Sequence, residues 1–167
     1  ENRRVCRTRN MRSTMKTFIV LMSALGILAA CASRNHPSGV DTVEQAKAKN
    51  LPIFITELKT TRPYQDGKVD VSIAYINTAP KTIRSVRFTL VARDATWASL
   101  RNETTNRFEA TLEDSGQIEP GGKGGNRWRE VWQNRRIVCS EIMETNVEFT
   151  DGTIAVTYAN PGRRACR

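Results

Sequence analysis

In this chain of 167 residues, few side chains are suited to chemistry. Four cysteines, Cys6, Cys31, Cys139 and Cys166, supply the thiols. No two of them stand in CxxC spacing, so the sequence offers no zinc ligand set, and no metal or cofactor is expected. The single histidine, His36, lies in a Ser/Asn/Pro/Gly stretch where nothing can hold a base or a metal against it. Gly121-Gly122-Lys123-Gly124-Gly125 has the glycine density of a phosphate cradle. It lacks the spacing and the Ser or Thr of a P-loop and precedes a strand pattern, so it is expected to be a mobile hairpin loop. Glu141 and Glu144 are carboxylates of the kind any solvated face carries, and nothing forces them together for acid–base work. No catalytic residue is expected, and the chain does not read as an enzyme. The most suggestive run is Arg127-Trp128-Arg129-Glu130-Val131-Trp132, followed by Arg135 and Arg136. In a strand, Trp128, Glu130 and Trp132 share one face and Arg127, Arg129 and Val131 the other. Two readings stand: a core tryptophan with solvating arginines, or an Arg127, Trp128, Arg129 and Trp132 surface that binds an anionic ligand or glycan between guanidinium and indole. The C-terminal Arg163, Arg164 and Arg167 would extend such a patch.

The thiol with the clearest context is Cys31. From Met11 the chain passes basic Arg12 and Lys16 and enters an apolar run from Phe18 to Ala30, with no charge until Arg34. A basic segment followed by a short apolar one is the pattern of a secretory leader, here residues 11–30. The run is shorter than the ~20 residues a membrane-spanning helix needs. Residues 1–10 read as upstream extension. Leu28-Ala29-Ala30-Cys31 resembles the lipobox of bacterial lipoproteins. The resemblance implies a diacylglyceryl group on Cys31 and cleavage after Ala30, making Cys31 the mature N-terminus. Each buried methylene of such chains contributes about 0.8 kcal/mol, so two or three chains hold a domain at a membrane without further anchor. Ala30-Cys31-Ala32 also fits an ordinary A-x-A site, whose cleavage would release a soluble domain. Ala32, rather than an aspartate, follows Cys31; by resemblance to Gram-negative lipoproteins this favours the outer membrane over the inner.

An exported domain with Cys139 and Cys166 remaining invites a disulfide. If Asp151-Gly152 forms a two-residue hairpin, Thr150 faces Thr153 and Cys139 falls opposite Arg164, two residues from Cys166. The alternative is a buried, unpaired Cys139 with Cys166 loose in the tail. Residues 31–50 read as the lipidated cysteine, a spacer and a short helix from Thr42 to Lys49, started by Asp41 and Glu44 and stopped before Pro52. From residue 51 the period changes to two. Ile53 and Ile55, then Val69, Val71, Ile73 and Tyr75, then Val86, Phe88, Leu90 and Ala92 alternate with other residues. Further strands are expected at 107–112, 126–133, 137–149 with an interruption, and 153–158. Strands of this length with Gly, Pro, Asn and Asp between them predict an all-β domain over residues 51–160, an antiparallel sandwich of about seven strands, with a basic tail at 161–167.

Several short pieces carry a further resemblance: Asn77-Thr78, Lys81-Thr82-Ile83, Val86-Arg87-Phe88-Thr89-Leu90, Ile118-Glu119-Pro120-Gly121, Trp128, Trp132-Gln133-Asn134 and Phe149-Thr150-Asp151-Gly152. In this order they resemble a small immunoglobulin-like domain of bacterial secreted proteins and lipoproteins, over about residues 51–158. The resemblance implies an immunoglobulin-like sandwich and no catalytic residues. One departure is Asp94-Ala95-Thr96-Trp97, where the family pattern turns on a glycine.

Residues 1–30 carry five of the formal charge of +9, and without them the surplus is four over 137 residues. That is ordinary solubility charge, so no nucleic-acid partner is expected. The expectation from the sequence is a lipid-anchored, non-enzymatic envelope module facing away from the cytoplasm. Its partners would be the membrane, through Cys31, and another envelope protein or an anionic glycan.

Overall fold

A computed structural model describes residues 41–158. Cys6, Cys31, His36, Cys166, the leader, the spacer before residue 41 and the basic tail after residue 158 lie outside the described residues. Among those described, no helix is long and apolar enough to cross a membrane.

The chain enters through α1 (Val43–Ala48), capped by Thr42, whose hydroxyl accepts the Gln45 N–H at 3.2 Å. Gln45 Oε1 in turn accepts the Asp41 N–H at 2.7 Å. The helix therefore starts one residue later than an Asp41 start requires, because Thr42 is the extended residue whose side chain reaches back. Its one buried residue, Ala46, packs on Phe54.

Eight strands follow, against about seven expected: β1 (Ile53–Thr60), β2 (Lys68–Asn77), β3 (Ile83–Arg93), the two-residue β4 (Ser99–Leu100), β5 (Glu109–Ile118), β6 (Lys123–Gln133), β7 (Cys139–Phe149) and β8 (Ile154–Tyr158). All pair antiparallel. One sheet runs β1-β2-β6; in the other, β3 lies between β7, with β8 beyond it, and a side shared by β4 and β5. The domain is an all-β, two-sheet antiparallel sandwich. Its core consists of the period-two residues that face inward: Val69, Val71, Ile73 and Tyr75 from β2 meet Val86, Phe88, Leu90 and Ala92 from β3.

Two expectations are corrected. The closing hairpin is not a two-residue turn: the Phe149 N–H donates to the Thr153 carbonyl and Glu148 faces Ile154, leaving Thr150, Asp151 and Gly152 as a three-residue connection. Gly152, at φ +80°, provides the left-handed residue that such a connection takes. The pairing expected between Cys139 and Arg164 lies outside the described residues, which end at Tyr158. The glycine run is also not a loop throughout, since β6 begins at Lys123. Gly124 pairs with Tyr75 in the strand, and the position is a glycine because a Cβ there would come within 2.6 Å of the Tyr75 ring and 2.4 Å of Ile118.

Strand ends gather at two ends of the sandwich. At the entry end, where α1 meets β1, fully buried Asn77 donates through Nδ2 to the carbonyls of Lys81 and Ile118, both at 2.8 Å. The Gly121 N–H returns to the Asn77 carbonyl at 2.9 Å. One side chain thus ties the Asn-Thr turn to the Ile-Glu-Pro-Gly corner.

Candidate functional site

The tryptophans of β6 belong to the interior. Val71 faces Trp128 and Val69 faces Trp132, so three residues, Arg129 to Val131, bulge against Asp70 alone. Two extra residues preserve parity, and both indoles point into the core. Trp132 has no exposed surface. Trp128 is half-buried, meets the Phe88 ring at 6.2 Å and donates Nε1–H to the Glu113 carbonyl at 3.2 Å. Glu130 does not share their face: at φ +53° it turns outward and its carboxylate meets Lys68 Nζ at 3.0 Å. The expected Arg/Trp surface is corrected accordingly. Arg127 and Arg129 are exposed, while the indoles are packed in the core.

Arg127 is committed to Asp70, whose Oδ2 it meets at 2.6 Å. Asp70 is 3% exposed and also accepts the Glu130 N–H and the Tyr64 hydroxyl. These donors, the Glu130 N–H first and Arg127 next, hold its carboxyl below the usual carboxylate range. The arrangement fixes the β1–β2 loop against the β6 bulge.

That loop is one part of the far end of the sandwich, which also carries the connection from β3 to β5 and the β6–β7 turn. Each segment is set by a buried Asx side chain. Asp94 Oδ1 accepts the Thr96 hydroxyl and the N–H groups of Thr96 and Ala98, and Oδ2 meets Arg136 at 2.8 Å. The Thr96 hydroxyl leads the group of donors that keeps Asp94 ionised below its ordinary range. Asn102 donates to the Val131 carbonyl and accepts the Thr104 N–H. Asn134 donates to the Arg101 carbonyl and accepts the Arg136 N–H. The loops are bonded to one another before any ligand arrives.

Their outer surface carries exposed apolar groups among arginines: Tyr64, Trp97, Phe108 and Val138, beside Arg62, Arg101, Arg107 and Arg135. Arg101 stacks on Phe108 at 4.3 Å, and Arg62 and Arg135 line a shallow cleft with Tyr64. Trp97 is 49% exposed and sits at φ +68°. For a bulky residue this is an outlier. At this turn a tryptophan is thus held in a conformation that glycine adopts without steric cost. Sequence reasoning marked this connection but not the residue.

Among the described residues, no group of three or more His, Cys, Asp or Glu side chains is placed to hold a metal. A second concavity lies at the entry end, about 640 Å³ in volume, between α1, the turn at Thr78–Lys81 and Phe149. Cys139 opens β7 opposite Arg93 and is 5% exposed.

No family model and no curated protein matches the chain. The fold and site define a β-sandwich protein with a pre-ordered loop surface. Solved structures of similar shape include IrmA from Escherichia coli, at 12% identity and TM-score 0.42, covering 63% of this chain and 81% of that one. Northeast Structural Genomics Consortium target SoR45 aligns at 10% identity and TM-score 0.45, over 65% of this chain and 82% of its own. A DUF1425 family member from Shewanella sp. pv-4 aligns at 12% and 0.37, over 64% and 78%. Likeness at this level concerns the general fold and carries no functional reading.

Proposed function

We propose that the chain is a lipid-anchored envelope protein whose sandwich acts as a non-enzymatic interaction module, engaging a protein partner through the far-end loops with Trp97 as the anchor. The observation that carries the reading is the Trp97 backbone. A left-handed conformation of this kind costs about 1–3 kcal/mol and persists where surrounding structure over-determines it. Here Asp94 does so, while the indole stays exposed rather than serving the core. Exposed tryptophan with arginine is the composition of interface hot spots. Crosslinking in cells followed by affinity capture tests the reading: one reproducible partner should be recovered with the native chain and lost with Trp97→Gly. Recovery unchanged by that substitution would dispose of the anchor role.

The anchor rests on the resemblance of residues 28–31 to a lipobox. Intact mass of the protein from its native membrane, beside a Cys31→Ala variant, tests it. Acyl chains on a polypeptide beginning at Cys31, absent from the variant, are expected; a bare mass beginning at Ser33 would mean a released domain. The Cys139–Cys166 disulfide belongs to the same proposal and is read from the same sample by peptide mapping without reductant.

The cleft between Arg62 and Arg135 favours a second reading, an anionic glycan stacked on Tyr64. Glycan binding that survives joint replacement of Arg62 and Arg135 by alanine would eliminate it.

A further inference from the structure

The entry-end cleft has a volume of about 640 Å³, inside the roughly 300–1,000 Å³ of small-molecule sites. Its walls include Leu51, Pro52, Ala79, Pro80, Pro120 and Phe149. Three of these are prolines and have no N–H to offer. Several other backbone groups along the wall are already used within the fold. The Pro52 carbonyl accepts the N–H groups of Thr78 at 3.0 Å and Ala79 at 3.2 Å, and the Gly121 N–H goes to Asn77. The Leu51 carbonyl accepts the Thr78 hydroxyl at 2.5 Å. A peptide laid here would bury amides without partners, at the cost of a lost hydrogen bond for each. A hydrocarbon chain has no such groups to satisfy.

Two lysines line the cleft, and they differ. Lys81 is bound to Asp151 at 2.8 Å and to the Thr153 hydroxyl at 3.1 Å. Lys47, in the last turn of α1, has no ion-pair partner among the described residues. We propose that this cleft binds one long-chain fatty acid, the alkyl chain against the proline-lined wall and the carboxylate at Lys47. The proposal goes beyond the module reading and does not depend on lipidation of Cys31.

The test uses the full-length chain carrying Cys31→Ala, which removes any covalent lipid, purified without detergent and titrated with cis-parinaric acid. Its fluorescence should rise saturably to one equivalent. Ala79→Trp, which fills the cleft, should weaken binding at least about tenfold, and so should Leu51→Glu if the first variant fails to fold by circular dichroism. Lys47→Glu should weaken binding of the acid and leave that of its methyl ester unchanged. Absence of saturable binding, or binding unaffected by a folded cleft variant, overturns the site. Equal loss for acid and ester on Lys47→Glu overturns the assignment of Lys47 to the carboxylate.

Discussion

Arg127 and Asp70 form the contact on which the far end is assembled: the guanidinium meets a carboxylate that is 3% exposed, at 2.6 Å. The pair is asymmetric, because Arg127 remains in solvent while Asp70 is buried. Asp70 is therefore the partner whose loss is costly, since the Glu130 N–H and the Tyr64 hydroxyl also depend on it.

Asp70→Ala should lower stability by about 1–3 kcal/mol, the range for leaving buried donors unsatisfied, and should loosen both the Tyr64 loop and the β6 bulge. The pH dependence follows from the same donors. A carboxyl whose folded pKa is depressed contributes stability above its unfolded value of about 3.9 and loses it as pH falls through the folded value. Asp66, Asp94 and Asp151 are depressed as well, by Lys68, Thr96 and Lys81 respectively. Urea midpoints should hold steady from neutral pH to about 5 and fall below about 4, with a shallower fall in Asp70→Asn.

Gly124→Ala tests whether the glycine run is strand or loop. A Cβ there would stand 2.4 Å from Ile118 Cδ1 and 2.6 Å from the Tyr75 ring, an overpacking expected to cost about 1–3 kcal/mol. Gly116→Ala, which meets nothing within 4 Å, is the control and should leave the urea midpoint near the native value. Equal midpoints in the two variants would restore the loop reading.

What the sequence showed and what it hid divide along physical lines. Alternation marked β2 and β3 because each sends one row of apolar side chains fully into the core while the alternate row is, for the most part, only partly covered. The second half of β5, Glu113 to Gln117, was not legible: its polar residues have no apolar period, and pairing with β3 extends it. The β6 bulge hid the position of Glu130, since period-two reasoning assumes a regular ladder and two extra residues conceal themselves by preserving parity. Gly124 gave a signal, glycine density, that points to a loop unless the Tyr75 ring across the sheet is known. For the site, Asp94 to Trp97 was visible as a departure from a pattern, but backbone sign is not written in residue type.

The β6 tryptophans can be separated from the arginines beside them. Trp132→Ala empties a fully buried position and should cost about 3–5 kcal/mol. Trp128→Ala should cost less, because the ring is only half-buried, though the Glu113 carbonyl loses its donor. Arg129→Ala should leave the urea midpoint unchanged. A stable Trp132→Ala variant with impaired ligand binding would revive the Arg/Trp surface.

Tyr75 sets the alkaline limit. Burial, aided by Asp114, whose carboxylate accepts its hydroxyl at 3.0 Å, pushes the phenol far above the ordinary value near 10. A raised folded pKa gives stability that is present below the unfolded value and lost as pH rises beyond it. In an ultraviolet titration followed beside circular dichroism, the Tyr75 phenol should ionise only as the domain unfolds. That coupled step should disappear in Tyr75→Phe. Ionisation of all three tyrosines before any loss of ellipticity would contradict it.

Trp97→Gly should separate stability from function. Glycine adopts φ near +68° without the steric penalty that tryptophan carries. The side chain is 49% exposed, so little packing is lost with it. The Asp94 bonds to Thr96 and Ala98 do not involve the indole and should survive. Relief of the left-handed strain, about 1–2 kcal/mol, is offset in part by the greater freedom of glycine in the unfolded chain, so stability should rise by less than that strain while partner capture is lost. Trp97→Ala, which removes the ring but keeps a Cβ in the strained region, should lose capture without the gain. If Trp97→Gly proved less stable than the native chain, the indole would be a packing element of the far end, and the strain at this turn would have a structural cause instead of a functional one.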